Sequence, residues 1–138
     1  MSMDAVPPLR AVAPAAELHL AARRLLGQAT RELVALVPAE HPVAAGLRAT
    51  LHELGTGGVL VRVVHDGGPA PAFPGAVLVR TVDRVPQVIV VADRSAALLS
   101  SREPRTPPTI VDEAVVVQAC ATAFAGMWDH PREARPGR

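Results

Sequence analysis

An α/β fold, a mixed and mostly parallel sheet flanked by helices, is what this chain predicts, and three observations carry it. Apolar runs of strand length recur at 33–37 (LVALV), 59–65 (VLVRVVH), 77–82 (VLVRTV) and 88–92 (VIVVA). Other stretches carry their apolar residues at helical spacing instead. A Gly-rich turn, Gly55-Thr56-Gly57-Gly58, delivers one strand directly after a helix, the strand-helix-strand order that makes parallel neighbours.

The first helix is expected over 15–30. There Leu18, Ala22, Leu25, Leu26 and Ala29 recur on one face, and Glu17, Arg23, Arg24 and Gln28 on the other. The strand 33–37 follows and is ended by Pro38. A second helix over 43–54 would bury Val43, Leu47, Leu51 and Leu54, with Gly55 at its C-cap. Strand 59–65 opens into the loop 66–75 (DGGPAPAFPG), and strand 77–82 carries Arg80. The run 88–92 is apolar on both faces, which marks a central strand covered from both sides. Asp93, Arg94 and Ser95 then make a tight turn into a short strand beginning at Ala96. The Pro-rich stretch after Ser100 reads as a surface loop, 114–117 (AVVV) as the last strand, and 118–128 as a terminal helix burying Cys120, Phe124 and Met127. Residues 1–14 are expected to be a disordered lead, 15–128 one domain, and 129–138 a flexible tail.

Composition narrows the function. The chain has 138 residues, 49% hydrophobic and 20% charged, enough for one core. Its net charge of +1 gives no electrostatic reason to expect strong nucleic-acid binding. Every basic residue is arginine, and Lys, Asn and Tyr are absent, a bias of GC-rich coding. Cys120 is the only cysteine, which excludes an intrachain disulfide and fits a cytoplasmic compartment. The N-terminus lacks the layout of a signal peptide, and no apolar run approaches the ~18 residues of a membrane span. No membrane and no cofactor are expected.

Chemistry-bearing motifs are sparse. The five histidines (19, 41, 52, 65 and 130) show no i, i+4 pair, so no metal site is expected. No serine lies in a nucleophile elbow, and the glycine turn precedes a strand rather than a helix, so it is not a phosphate loop. His65 and Asp66 close a parallel strand, where open α/β sheets place ligand sites. Asp93 ends the most buried strand. Arg62, Arg80, Arg84 and Arg94 could receive an anion if they converged, or stand as solvated partners of Asp66, Asp83 and Asp93. The candidate ligand-binding set is His65, Asp66, Arg80, Asp93 and Arg94, with no catalytic residue assigned.

The stretches AARRLLGQATRELVALVP, GLRATLHELGTGGVLVRVVHD and VRTVDRVPQVIVVADRSAALLS, then AVVV with Phe124 and Trp128, follow one another in a telling order. In that order the chain resembles the phospholipase D-like domain of LuxR- and TrmB-type transcriptional regulators of GC-rich bacteria. Catalytic members of that superfamily carry H-x-K-x-x-x-x-D. Anchored on Asp93, the pattern places its histidine at Pro86 and its lysine at Val88, so the nucleophile and the phosphate-binding cation are both missing. The resemblance therefore implies a non-catalytic sensor or adaptor: a homodimer that binds a small-molecule effector or a partner regulator protein. Because about fourteen residues precede the first helix, the DNA-reading module of such regulators is not expected here, and no direct DNA binding is expected either. The rival reading is an enzyme or biosynthetic accessory protein with an unrecognised site near His65, Asp66 and Asp93.

Overall fold

The computed structural model of the protein describes residues 14–38, 50–66, 77–102 and 108–130. Six strands form one sheet: β1 (Glu32–Val37), β2 (Leu60–Asp66), β3 (Val77–Val82), β4 (Gln87–Ala92), β5 (Ala96–Ser101) and β6 (Thr109–Val111). Their spatial order is β3-β2-β1-β4-β5-β6. Helices α1 (Pro14–Leu26) and α2, helical over 50–56, contribute to the core on one face, and α3 (Ala114–Asp129) covers the other. This is the predicted α/β architecture with a mixed sheet. Parallel pairing is confined to β1–β2 and β2–β3, while β1–β4, β4–β5 and β5–β6 are antiparallel. Antiparallel pairs thus outnumber the parallel ones expected to dominate, and the tight turn at Asp93 accounts for the β4–β5 pair, because a short hairpin can join only antiparallel strands.

The two central strands, β1 and β4, are buried along all but their first residue, as an apolar run without a polar face requires. Alternate residues then supply two cores. Leu33, Ala35, Val61, Val63, Val88 and Val90 meet Ala22, Leu25, Leu26 and Leu51 from α1 and α2. Val34, Leu36, Val64, Ile89 and Val91 meet Val117, Cys120 and Phe124 from α3. A strand's period of two and a helix's period of 3.6 are both read off the same burial pattern.

Four boundaries differ from the sequence reading. Helix α1 stops at Leu26 rather than Thr30, and its last turn closes through Gln28 N–H to Leu25 O (3.0 Å) and Ala29 N–H to Leu26 O (3.1 Å), the tighter bonds of a helix end. Gly55 is not the C-cap of α2. Gly58 takes that place at φ 99°, with Val59 N–H on Leu54 O and Gly58 N–H on Gly55 O, the paired bonds of a Schellman ending. The expected strand 114–117 is the first turn of α3, and the last strand is β6. Three valines raise strand propensity there, but only Val117 is buried and Val115 is 82% exposed, so helical spacing onto the sheet overrides the local preference. The first part of the second predicted helix, most of the N-terminal lead and most of the C-terminal tail lie outside the described residues.

Candidate functional site

The charged groups gather at opposite ends of the sheet. At the N-terminal end of β1 and β2, Asp93 sits in the β4–β5 turn with φ 53°, followed by Arg94 at φ 58°. Two successive residues at positive φ are the requirement of a type I′ hairpin turn, and Ser95 N–H closes it onto Ala92 O at 2.9 Å. The Asp93 carboxylate reaches back to the chain entering β1. It accepts the N–H groups of Thr30 (2.9 Å), Arg31 (2.8 Å) and Glu32 (2.9 Å), and the Thr30 hydroxyl at 3.3 Å. Partial burial would raise its pKa, but the bonds from Glu32, Thr30 and Arg31 outweigh that and hold the carboxyl below its ordinary value. Asp93 is a structural anchor whose acceptors are already engaged.

At the other end of β2, Asp66 is 1% exposed. Its Oδ2 accepts Val85 N–H at 2.6 Å and Arg102 Nη1 at 2.7 Å, tying β2 to the β3–β4 connection and to the end of β5. Beside it, His65 is 4% exposed. Its Nδ1 donates to the Asp66 carbonyl at 2.9 Å, and its Nε2 accepts the Thr81 hydroxyl at 3.0 Å, which specifies one neutral tautomer. Burial lowers its pKa against the smaller raising effects of the Asp66 carbonyl and carboxylate. Both side chains hold the sheet together.

A third cluster lies under α3. Arg62 on β2 places its guanidinium 5.4 Å from the Phe124 ring centre and 5.6 Å from that of Trp128. Arg80, one strand outward, lies 4.3 Å over Trp128 and donates to the Trp128 carbonyl, a cation on the negative end of the helix. The two rings stack at 5.7 Å. Toward β4, Glu32 binds Arg94 Nε at 3.0 Å and lies 3.8 Å from Arg62 Nη2. Between these groups opens a cleft of about 200 Å³, lined by Glu32, Arg62, Arg94, Phe124, Asp129 and apolar residues of β1, β4 and α3. A shallower depression on Arg31, Glu32, Leu60, Asp93 and Arg94 meets it at the Glu32–Arg94 pair.

The five residues expected to form one site are therefore divided. His65 and Asp66 close one end of β2, Asp93 and Arg94 the other end of the sheet, and Arg80 stands between them at the α3 face. The expected pairings also change: Arg94 pairs with Glu32 and not with Asp93, and Asp66 pairs with Arg102. Of the predicted set only Arg94 lines the cleft. Glu32, Arg62, Phe124 and Asp129 were not singled out together, because they come from three elements far apart in sequence. The one signal was Arg62 interrupting the apolar run 59–65 on the face that α3 covers. Among the described residues no group of three His, Cys, Asp or Glu side chains is placed to hold a metal, and no helix is long and apolar enough to cross a membrane.

With this architecture established, comparison with known proteins bears on its kind. No family model matches the chain, and none of the curated proteins does. Among solved structures it is similar to TrmBL2, an archaeal chromatin protein that shows a novel mode of DNA binding. The TM-score is 0.69 at 15% identity, over 86% of this chain and 51% of that one. The chain thus spans about half the length of TrmBL2, and at this identity the likeness is one of fold. Of the resemblance expected from the sequence, the likeness to a TrmB-type protein is met at that level, and its phospholipase D-like part is not tested by it. The expectation of no direct DNA binding does not stand: it rested on the short stretch before the first helix and on the net charge of +1, and the shared fold is that of a DNA-binding chromatin protein.

Proposed function

We propose that this chain is a non-catalytic regulatory module that works in association with DNA, as a cytoplasmic sensor or adaptor of the TrmB-like kind. The observation that carries the reading is the fold shared with TrmBL2 across most of the chain. The local chemistry supports the non-catalytic part. Val88, where phospholipase D-type catalysis would need lysine, is fully buried in the core, and Asp93 is occupied by three backbone N–H groups. A valine side chain has no donor for a phosphoryl oxygen, and a carboxylate with its acceptors engaged has no proton task left to perform. Residues 15–128 act as a single domain in this reading, paired about a two-fold axis.

Fluorescence anisotropy with a labelled duplex of mixed sequence tests the association with DNA. Binding that weakens steeply between 50 and 200 mM salt is expected, since neutralised phosphates release counterions (about 0.9 log units in affinity per contact and per decade of salt). No change in anisotropy at low salt and micromolar protein would remove the DNA part of the reading. Sedimentation velocity at the same concentrations reads the two-fold pairing.

A further inference from the structure

The cleft under α3 has the composition of a small-ligand site, and we infer that it binds a free α-amino acid with an apolar side chain. The inference gives the regulatory reading a ligand and rests on it, but its test is independent of DNA. Size comes first. About 200 Å³ is below the roughly 300–1,000 Å³ of sites for drug-sized molecules, so the occupant is small.

The walls define the rest. Val34 and Val91 are register partners on β1 and β4 and form an apolar floor. Ala121, Phe124 and Ala125 share one face of α3 above it, and the two alanines leave the space that longer side chains would fill. The rim is polar and carries both signs of charge. Among the described residues the Arg62 side chain makes no hydrogen bond: its Nε is buried without a partner, and its Nη2 lies 3.8 Å from Glu32, beyond hydrogen-bond length. Its guanidinium is held against the Phe124 and Trp128 rings, so its donors are oriented before any ligand arrives. Asp129, at the end of α3, lines the same cleft with no ion pair among the described residues.

The donors that face the cleft are the Arg62 Nη groups, which have no hydrogen-bond acceptor among the described residues and would take a ligand oxygen. A plain carboxylate would answer Arg62 but would meet Glu32 and Asp129. A plain amine would answer the acids and leave Arg62 as it stands. A zwitterion answers both: its carboxylate on Arg62, its ammonium toward Glu32 and Asp129, and its side chain on the valine floor.

The test is isothermal titration and thermal unfolding of the full chain with L-leucine, 4-methylpentanoate and 3-methylbutylamine. The last two carry the same apolar body and lack the ammonium or the carboxylate. L-Leucine is expected to release or absorb heat and to raise Tm, because a ligand of the native state stabilises it; neither half-analogue should do so at the same concentration. Asp129→Asn, an exposed change that leaves the fold intact, and Arg62→Gln should each weaken leucine binding by about tenfold or more, and Ala121→Leu should fill the cleft and abolish it. Absence of binding by L-leucine overturns the inference. So does equal binding of 4-methylpentanoate, which would define a plain anion site, or leucine binding indifferent to Asp129→Asn and Ala121→Leu. Loss of leucine binding with DNA association intact removes this site alone, and the reverse removes the DNA reading alone.

Discussion

Asp66 and Asp93 close opposite ends of the same sheet, and they do so by different means. Asp66 is buried and neutralised by a guanidinium, Arg102, with one backbone N–H beside it. Asp93 is partly exposed and has no cation on its oxygens among the described residues; successive backbone N–H groups of the chain entering β1 hold it instead. The first arrangement needs a particular side chain from a distant segment. The second needs only that the backbone turn correctly, and it converts a hairpin turn into a clamp on the first strand. Strand ends can thus be fixed by charge pairing or by a nest of N–H dipoles, and the two should fail differently.

Removing Asp66 should be the larger loss. Asp66→Ala leaves the part-exposed Arg102 without its carboxylate and the buried Val85 N–H without its acceptor, and we expect a fall of about 3 kcal/mol in unfolding free energy, read from urea midpoints at constant m. A loss below about 1 kcal/mol would mean that solvent, which reaches Arg102, already carries most of the charge. Asp93→Ala should cost about 2 kcal/mol: it loses charge-assisted bonds and puts a Cβ residue without local polar compensation at positive φ. Asp93→Gly keeps the conformation and loses the bonds, so it should recover part of that loss. If glycine is no better than alanine, the carboxylate and not the turn carries the whole effect.

Acid sharpens the same contrast. The folded-state pKa of Asp93 lies below its ordinary 3.8, so the unfolded chain takes up its proton first as pH falls. Its contribution is complete above that value and is lost as pH drops through the lower folded value. Asp93→Asn should flatten this part of the stability profile. His65 behaves in the same direction in a higher window. Its folded pKa is depressed below 6.5, so stability present above 6.5 declines as the unfolded imidazole protonates, and His65→Gln should remove that slope. Unfolding midpoints between pH 7 and pH 2 separate the two windows.

The smallest effect belongs to Arg80. Arg80→Ala should cost about 0.5–1 kcal/mol, since an exposed cation over an indole contributes little. It should also change the emission of Trp128, the only tryptophan. An unchanged spectrum would mean that Arg80 does not rest on the ring in solution.

Most of the scaffold was legible because burial imposes periodicity. The runs 33–37 and 88–92 have no polar position, and they became the two central strands. The edge strand β3 alternates, and it too was legible at 77–82. The valines at 115–117 misled for the same physical reason: β-branched residues favour strands locally, and nothing in that stretch shows that a sheet face waits for a helix. The candidate site was less legible. Its parts, Glu32 on β1, Arg62 on β2, and Phe124 and Asp129 on α3, come from three segments far apart in sequence and meet only through strand register and the packing of α3.

The sequence by itself determined the α/β class, the sheet's central strands and the absence of the phospholipase D-type histidine and lysine, because each depends on residue identity or on local periodicity. Only the tertiary structure decided what the charged residues do. Asp93 met the backbone before β1, Asp66 met Arg102, and Arg62 met two aromatic rings with donors left over. Those pairings follow from which strands lie side by side. Long-range register is a property of the whole fold, and no window of sequence contains it.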